Sequence, residues 1–183
     1  MRIDMSLYQR QAKDAARRLI GTIIVRKIGS RVLRGRIVET EAYLGPIDLA
    51  SHASKGRTKR TEVMFASPGH AYVYLIYGMY DMFNIVVGAV GDAHAVLIRA
   101  AEPLDGWTEN LSGPGKLARA FRITRADNAT NLCTSDSLYL VKGPRKRPRV
   151  LTTPRIGIDY ALHWKDELLR FVDADSKAVS KIR

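Results

Sequence analysis

Two glutamates and a tyrosine alternate within the segment VETEAYLGPIDLASH, residues 38–52. In an extended strand, side chains two positions apart point to the same face, so Glu39, Glu41 and Tyr43 should lie together. His52 follows in the next loop. Carboxylates serve proton transfer and aromatic rings serve ligand stacking, so the segment is a candidate catalytic site.

The same segment permits two other interpretations. A solvent-facing strand often carries acids with no chemical role, and this is the commoner arrangement. Alternatively, Glu39, Glu41, Asp48 and His52 are the kinds of ligand that hold a divalent metal ion in a metal-dependent nuclease. Spacing alone does not distinguish these alternatives from a metal-free site.

A second unusual feature is the segment YVYLIYGMYDMFN, residues 72–84. Its alternating apolar residues predict a β-hairpin, and Gly78 is its only breaker, so the turn should fall at 77–80. Hairpin tips normally carry Asn, Asp, Ser or Gly because they face water. Tyr77 and Met79 at the tip instead resemble the apolar wedge of a protein that unstacks a base step in DNA.

The charge balance supports a polyanionic partner. The 183 residues include 30 Lys and Arg against 18 Asp and Glu, a formal charge of +12 with a pI near 10.1. Such an excess attracts nucleic acid first and an anionic membrane surface second. No apolar run is long enough to span a bilayer, and the single Cys133 excludes an internal disulfide. We expect a bacterial cytoplasmic protein associated with the nucleoid, or a nuclear protein if the source is eukaryotic.

Several basic residues are candidates for contact with the DNA backbone. Arg57, Lys59 and Arg60 lie between His52 and the hairpin, and Lys116 follows Gly-Pro-Gly at a predicted helix start. Each is also compatible with a solvated surface charge. The basic segment at 142–149 is equally compatible with a solvated loop or a DNA contact.

The elements that must position these residues belong to one domain over residues 1–183. We expect a mixed α/β (α+β) fold in which a curved, largely antiparallel sheet carries a protruding hairpin and flanking helices. Ser6 and Gln9 form a capping-box pair that predicts a helix over 6–20. The remaining predicted elements are strands at 22–28, 31–43 and 95–101, the hairpin, a short helix after residue 115, and a last strand near the end of the chain.

Four strings in this order resemble the alkyladenine (3-methyladenine) DNA glycosylase family from about residue 6 to about 171: RIVETEAYLGP, PGHAYVYLIYGMYDMFNIV, VLIRAAEPLDG and SGPGKLARA. The resemblance implies a monofunctional glycosylase of base excision repair that flips a damaged purine out of double-stranded DNA. It would hydrolyse the N-glycosidic bond without a cofactor, a metal or a Schiff base and leave an abasic site. Substrates would include 3-methyladenine, 7-methylguanine and hypoxanthine, and we expect a monomer.

The resemblance also implies roles for individual residues. Glu41 matches the catalytic carboxylate that activates water, with Glu39 as the rival acid, and Arg99 matches a residue that holds this water. Tyr43 matches the ring on one side of the flipped base, with His52 and Tyr74 on the other. Asn84 matches a residue that would crowd the exocyclic amine of normal guanine. Tyr77 matches the residue that would fill the gap left in the DNA helix by the flipped nucleotide, and Met79 flanks it. A binding module without catalysis remains the alternative.

Overall fold

The computed structural model describes residues 1–144 and 148–180. Within these ranges the α-helices are α1 (Met5–Tyr8), α2 (Ala12–Leu19) and α3 (Pro114–Ala120). The strands are β1 (Ile23–Ile28), β2 (Arg31–Leu44), β3 (Ala71–Ile76), β4 (Tyr80–Val87), β5 (His94–Pro103), β6 (Leu138–Val141), β7 (Val150–Thr153) and β8 (Arg170–Asp173). Short 3-10 helices occupy Gly45–Ile47, His52–Lys55, Glu62–Phe65, Arg125–Asp127 and Leu162–Lys165.

All eight of these strands form one antiparallel sheet. The main order is β3-β4-β5-β2-β1-β6, and β8 joins both β2 and β7. The long strand β2 pairs with β5 along one edge and with β1 and then β8 along the other. Its register against β5 shifts on both sides of Glu39, and such bulges bend a strand. The predicted α+β fold with a curved antiparallel sheet is confirmed.

The first helix differs from the prediction. Asp4, not Ser6, caps α1 by accepting a hydrogen bond from the Ser6 N–H, and Gln9 to Gln11 separate α1 from α2. In a continuous helix the Tyr8 carbonyl would accept from residue 12, but here it accepts from the N–H of Gly88 at 2.9 Å. A tertiary contact therefore ends the helix where local sequence favours its continuation.

Helix α2 determines which face of β2 carries the candidate site. Its buried residues Ala12, Ala15, Ala16 and Leu19 pack on the sheet. The Thr40 hydroxyl donates a hydrogen bond of 2.9 Å to the Ala16 carbonyl, so this face of β2 is covered. Alternation along the strand sends the Glu39 and Glu41 side chains to the opposite face.

The remaining predicted elements agree with the structure. The hairpin reverses through a three-residue loop, Tyr77–Met79, in which Tyr77 and Gly78 have φ values of 53° and 67°. In the basic segment at 142–149, residues 145–147 lie outside the described residues, and the others have no regular secondary structure. No helix in the described ranges has the length and apolar character needed to cross a bilayer.

Candidate active site

A cavity opens on the uncovered face of β2, with about 660 Å³ of empty space including its mouth. Its walls come from β2 to β5, from the 3-10 helix that begins at His52 and from the loop after β7. They include Tyr43, His52, Met64, Tyr72, Tyr74, Asn84, Arg99, Pro114, Ile156 and Tyr160.

Glu41 is fully buried and lies immediately behind this wall. Its Oε2 accepts hydrogen bonds from the Tyr43 hydroxyl at 2.9 Å and from Arg99 Nη1 at 3.3 Å. Its Oε1 accepts from the Ile156 backbone N–H at 2.8 Å. All three donors belong to residues that line the cavity, so the carboxylate is one residue layer from the enclosed space.

Glu39 shares the strand face with Glu41 but has different partners. It accepts hydrogen bonds from Arg99 Nε at 3.0 Å, from Arg170 Nε at 2.7 Å and from both the N–H and the hydroxyl of Ser180. Glu39 is therefore enclosed by arginine and by the end of the described chain. The two candidate acids are distinguished by their neighbours, with Glu41 alone bonded to Tyr43.

Arg99 lies between the two acids and is itself almost fully buried. Burial disfavours its charged form, but Glu41 and Glu39 outweigh this effect and hold the pKa of the guanidinium above its ordinary value. The group is thus a permanent cation in a buried site. The structure places Arg99 beside Glu41, and its predicted role in holding a water there stays a prediction.

Tyr43 connects the acid to the cavity. Its ring forms part of the wall, and the Arg155 guanidinium lies 4.7 Å from the ring centroid. Burial and the Glu41 charge raise the pKa of the Tyr43 hydroxyl, so it stays protonated and donates to Glu41.

Asp48 is held by Arg155, with hydrogen bonds of 2.5 and 2.9 Å, and both side chains are fully buried. In the described part of the chain, no group of three or more His, Cys, Asp or Glu side chains is arranged to hold a metal ion. Because arginines occupy Asp48 and Glu39, the metal-nuclease interpretation has no geometric support.

Aromatic side chains form the other wall. The His52 and Tyr74 rings lie 4.4 Å apart, nearly perpendicular, and His52 Nδ1 is 2.9 Å from the Tyr72 hydroxyl. Burial, aided by the Arg60 charge, lowers the pKa of His52 to about 4. The Arg60 guanidinium lies 5.1 Å from the Tyr74 ring centroid. His52 is therefore neutral near pH 7 and offers an uncharged ring to the cavity.

Asn84 is buried on β4 and lines the same cavity. Its Nδ2 donates to the carbonyls of Tyr72 and Met82, each at 3.2 Å. The amide therefore has a fixed orientation in the cavity wall, and its predicted crowding of the guanine amine stays a prediction.

The hairpin tip projects into solvent. Tyr77 is 81% exposed and Met79 is 67% exposed, although both side chains are largely apolar. Tyr160, at 69% exposure, lines the cavity from the loop after β7, and burial raises the pKa of its hydroxyl. Ile76, which precedes Tyr77 in the chain, also lines the cavity, so the hairpin tip adjoins the site.

The predicted backbone-contacting cations fall in two places. Arg57 pairs with Glu62 at 2.7 Å, Lys59 is exposed, and Arg60 lies over Tyr74 beside the cavity. Lys116 lies instead at a second, polar cavity along α3. Its other cations are Arg31, Arg119 and Arg122, and its one acid is Glu109. The first residue of α3, Pro114, lines the first cavity, so this helix adjoins both.

Sequence reasoning missed the loop that follows β7. Arg155, Ile156 and Tyr160 complete the site from more than 100 residues beyond β2. No local pattern identifies them, although a cluster of apolar and aromatic residues in a loop is a weak signal of a binding surface.

Comparison with known proteins agrees with this geometry. The family described as Methylpurine-DNA glycosylase (MPG) matches residues 6–177. A protein of Myxococcus xanthus, named "Putative 3-methyladenine DNA glycosylase", is 50% identical over 179 residues, covering 96% of this chain and 92% of that protein. A protein of the same name from Methanocella arvoryzae is 46% identical, and the match covers 95% of this chain and 93% of that protein. Another of the same name from Legionella pneumophila (strain Paris) is 45% identical, and the match covers 95% of each chain. The predicted resemblance is confirmed: the chain belongs to the methylpurine-DNA glycosylase family and is a DNA glycosylase of base excision repair.

Proposed function

We propose that the cavity receives an alkylated or deaminated purine flipped out of double-stranded DNA, and that Glu41 activates the water that releases it. A base within the stack is inaccessible to such chemistry, so extrusion must precede cleavage. The observation that supports this proposal most directly is the position of Tyr43. Its ring borders the cavity, and its hydroxyl donates a hydrogen bond to Glu41. A base stacked on this ring lies one residue away from the acid.

In the proposed reaction, water attacks C1′ of the sugar while Glu41 accepts its proton. The C–N bond breaks, its electron pair leaves with the purine, and the sugar passes through an oxocarbenium-like state that a carboxylate stabilises. Arg99, which donates to Glu41 Oε2 at 3.3 Å, holds this water beside the carboxylate in the proposed reaction. The products are a free base and an abasic site.

The cavity walls support a preference for alkylated purines. Stacking on aromatic side chains contributes about 1–3 kcal/mol per base. Methylation at N3 or N7 leaves the base cationic, and electron-rich rings such as those of Tyr43 and Tyr74 attract a cation. The fixed amide of Asn84 would oppose the exocyclic amine of normal guanine. The proposed lesions are of the 3-methyladenine, 7-methylguanine and hypoxanthine type.

A one-step hydrolysis is supported by the residues around the cavity. An enzyme that forms a Schiff base needs an amine nucleophile beside C1′. The described cavity lining contains no lysine. The released DNA strand should therefore remain intact until heat or alkali cleaves it at the abasic site.

The exposed residues support a mode of DNA binding. We propose that Tyr77, flanked by Met79, fills the space left by the flipped nucleotide, because an apolar group at 81% exposure gains contacts between base pairs. Arg60 would contact a phosphate beside the cavity, and Lys116 with the other cations along α3 would contact phosphates farther along the strand. Lys59 is available for the same purpose, while Arg57 must first leave Glu62.

Substitution of Glu41 tests the proposal. We expect E41Q to bind a duplex with a single lesion nearly as well as the parent protein and to lose excision in single-turnover assays, because an amide does not accept the water's proton. E167Q, which changes an exposed glutamate, is the matched control and should excise normally. Retained excision by E41Q would refute the assignment.

Cleavage that fails in EDTA would favour the nuclease, and binding without release of base by the parent protein would favour the binding module.

A further inference from the structure

Glu39 is the centre of a buried cluster that the proposed reaction does not use directly. Its Oε1 accepts from Arg99 Nε at 3.0 Å, from Arg170 Nε at 2.7 Å and from the Ser180 hydroxyl at 2.7 Å. Its Oε2 accepts from the Ser180 backbone N–H at 2.7 Å. Four hydrogen bonds thus converge on one carboxylate with no exposed surface.

We propose that Glu39 is a positioning residue that holds Arg99 toward Glu41, and that the C-terminal segment completes this arrangement through Ser180. The inference rests on the proposed role of Glu41 and extends it to residues that do not touch the base. Arg99 uses Nε for Glu39 and Nη1 for Glu41, so the first bond sets the direction of the second.

The charges of the cluster support this role. Glu39 and Glu41 supply two negative charges, and Arg99 and Arg170 supply two positive charges, with all four groups buried. Removing one charge from a buried pair leaves its partner uncompensated, which is far more costly than removing a surface charge. Without Glu39, Arg170 would lose its carboxylate partner, and Arg99 would keep only its bond to Glu41, with no second carboxylate to fix the orientation of its guanidinium.

Such a change would act on the proton-accepting carboxylate. The other titratable or charged groups that face Glu41 are Tyr43 on its own strand, Tyr74 on β3 and Arg155 in the loop after β7. None of these is an acid that would replace the charge of Glu39. An excess of positive charge favours the ionised form of Glu41 and weakens it as a base, so the acid limb of the pH–rate profile should move to lower pH.

The C-terminal segment reaches the cluster from a distant position in the chain. After β8, Ser176 donates a hydrogen bond of 2.5 Å to Glu102, and the Val179 carbonyl accepts from the Ser112 hydroxyl at 3.4 Å. Arg170 Nη2 then donates to the Ser180 carbonyl at 3.1 Å. Ser180 is therefore held directly by Arg170, and its own N–H and hydroxyl donate to Glu39.

The test compares E39Q and S180A with S176A as the matched control. S176A removes a hydroxyl from the same segment, but its hydrogen bond goes to Glu102 rather than to the cluster. We expect E39Q to lower single-turnover excision about 100-fold, the order expected for a misplaced catalytic group, and S180A to lower it about tenfold. Affinity for a lesion duplex should stay within about twofold of the parent value.

The pH–rate profile separates positioning from a loss of fold. The acid limb should move to lower pH in E39Q, whereas S176A should match the parent in rate and profile. Parent-like rates and profiles in both E39Q and S180A would overturn the inference while leaving the E41Q result intact. If E39Q does not fold, the excision rate of S180A is the test, provided that its thermal stability is unchanged. A tenfold lower rate supports the inference, and an unchanged rate overturns it. Retained excision by E41Q would instead refute the proposed function itself.

Discussion

Arg155 and Asp48 form a bidentate ion pair in which Nη1 and Nη2 lie 2.5 and 2.9 Å from the two carboxylate oxygens, and neither side chain is exposed. The pair joins the loop after β7 to the turn after β2. Arg155 Nη1 also donates to the Ala42 carbonyl, and its guanidinium covers the Tyr43 ring. One buried contact thus holds the cavity wall that begins at Ile156.

Breaking this pair should destabilise the protein strongly. D48N leaves a buried guanidinium without its counter-charge, and we expect a loss of about 3–5 kcal/mol in the free energy of unfolding. D14N is the matched control, since Asp14 pairs with Arg10 and Arg18 on the surface and should cost no more than about 1 kcal/mol. Urea denaturation of both variants measures the difference, and equal losses would contradict the prediction.

Removing the exposed tyrosine of the hairpin should impair base flipping without affecting the fold. Tyr77 is 81% exposed, so Y77A should leave the thermal unfolding midpoint nearly unchanged. Unstacking a base step costs about a few kcal/mol, and contacts of the Tyr77 side chain offset part of this cost. Without them, the fraction of DNA with a flipped base should fall at least tenfold. Fluorescence of 2-aminopurine beside the lesion reports this population. V32A, another exposed apolar residue, should flip the base like the parent protein.

The cations along α3 should contribute to the salt dependence of DNA binding. Each lost phosphate contact reduces the slope of log K against log salt by about 0.9. We expect K116Q/R119Q to lower the slope by up to about 2 units in a titration with a lesion duplex. The control K13Q/R17Q removes two exposed cations from α2, which covers the opposite face of β2, and should leave the slope unchanged. Identical slopes for both double variants would show that α3 lies off the DNA.

His52 should remain neutral across the physiological range. Its pKa in the folded protein is lowered to about 4, against about 6.5 when unfolded. Between these values the unfolded chain binds the extra proton, so the contribution of His52 to stability is complete above pH 6.5 and is lost as pH falls toward 4. A nitrogen-15 NMR titration should show the imidazole unprotonated at pH 5.5.

The neighbouring cation tests the second cause of this shift. R60A should raise the pKa of His52, because it removes a positive charge that opposes protonation. K59A removes a neighbouring exposed lysine and should have little effect. An unchanged His52 titration in R60A would assign the shift to burial alone.

Local sequence was sufficient for features that depend on backbone periodicity. The two-residue alternation of β2 places Glu39, Glu41 and Tyr43 on one face, and the single breaker Gly78 places Tyr77 at an exposed tip. The net charge of +12 likewise follows from composition alone and indicates a polyanionic partner. These properties survive folding because strand geometry and charge do not depend on distant residues.

Other features were decided by contacts between distant segments. The carbonyl of Tyr8 bonds to Gly88, so one predicted helix became two. Glu39 and Glu41 are the same residue type on the same face, and the approach of Ser180 to one and of Ile156 to the other helps to distinguish them. These partners lie more than 100 residues away in the chain, and the energy of their hydrogen bonds exists only once the sheet has closed. The sequence therefore determined which groups were available, and tertiary packing determined which acid is bonded to residues of the cavity wall.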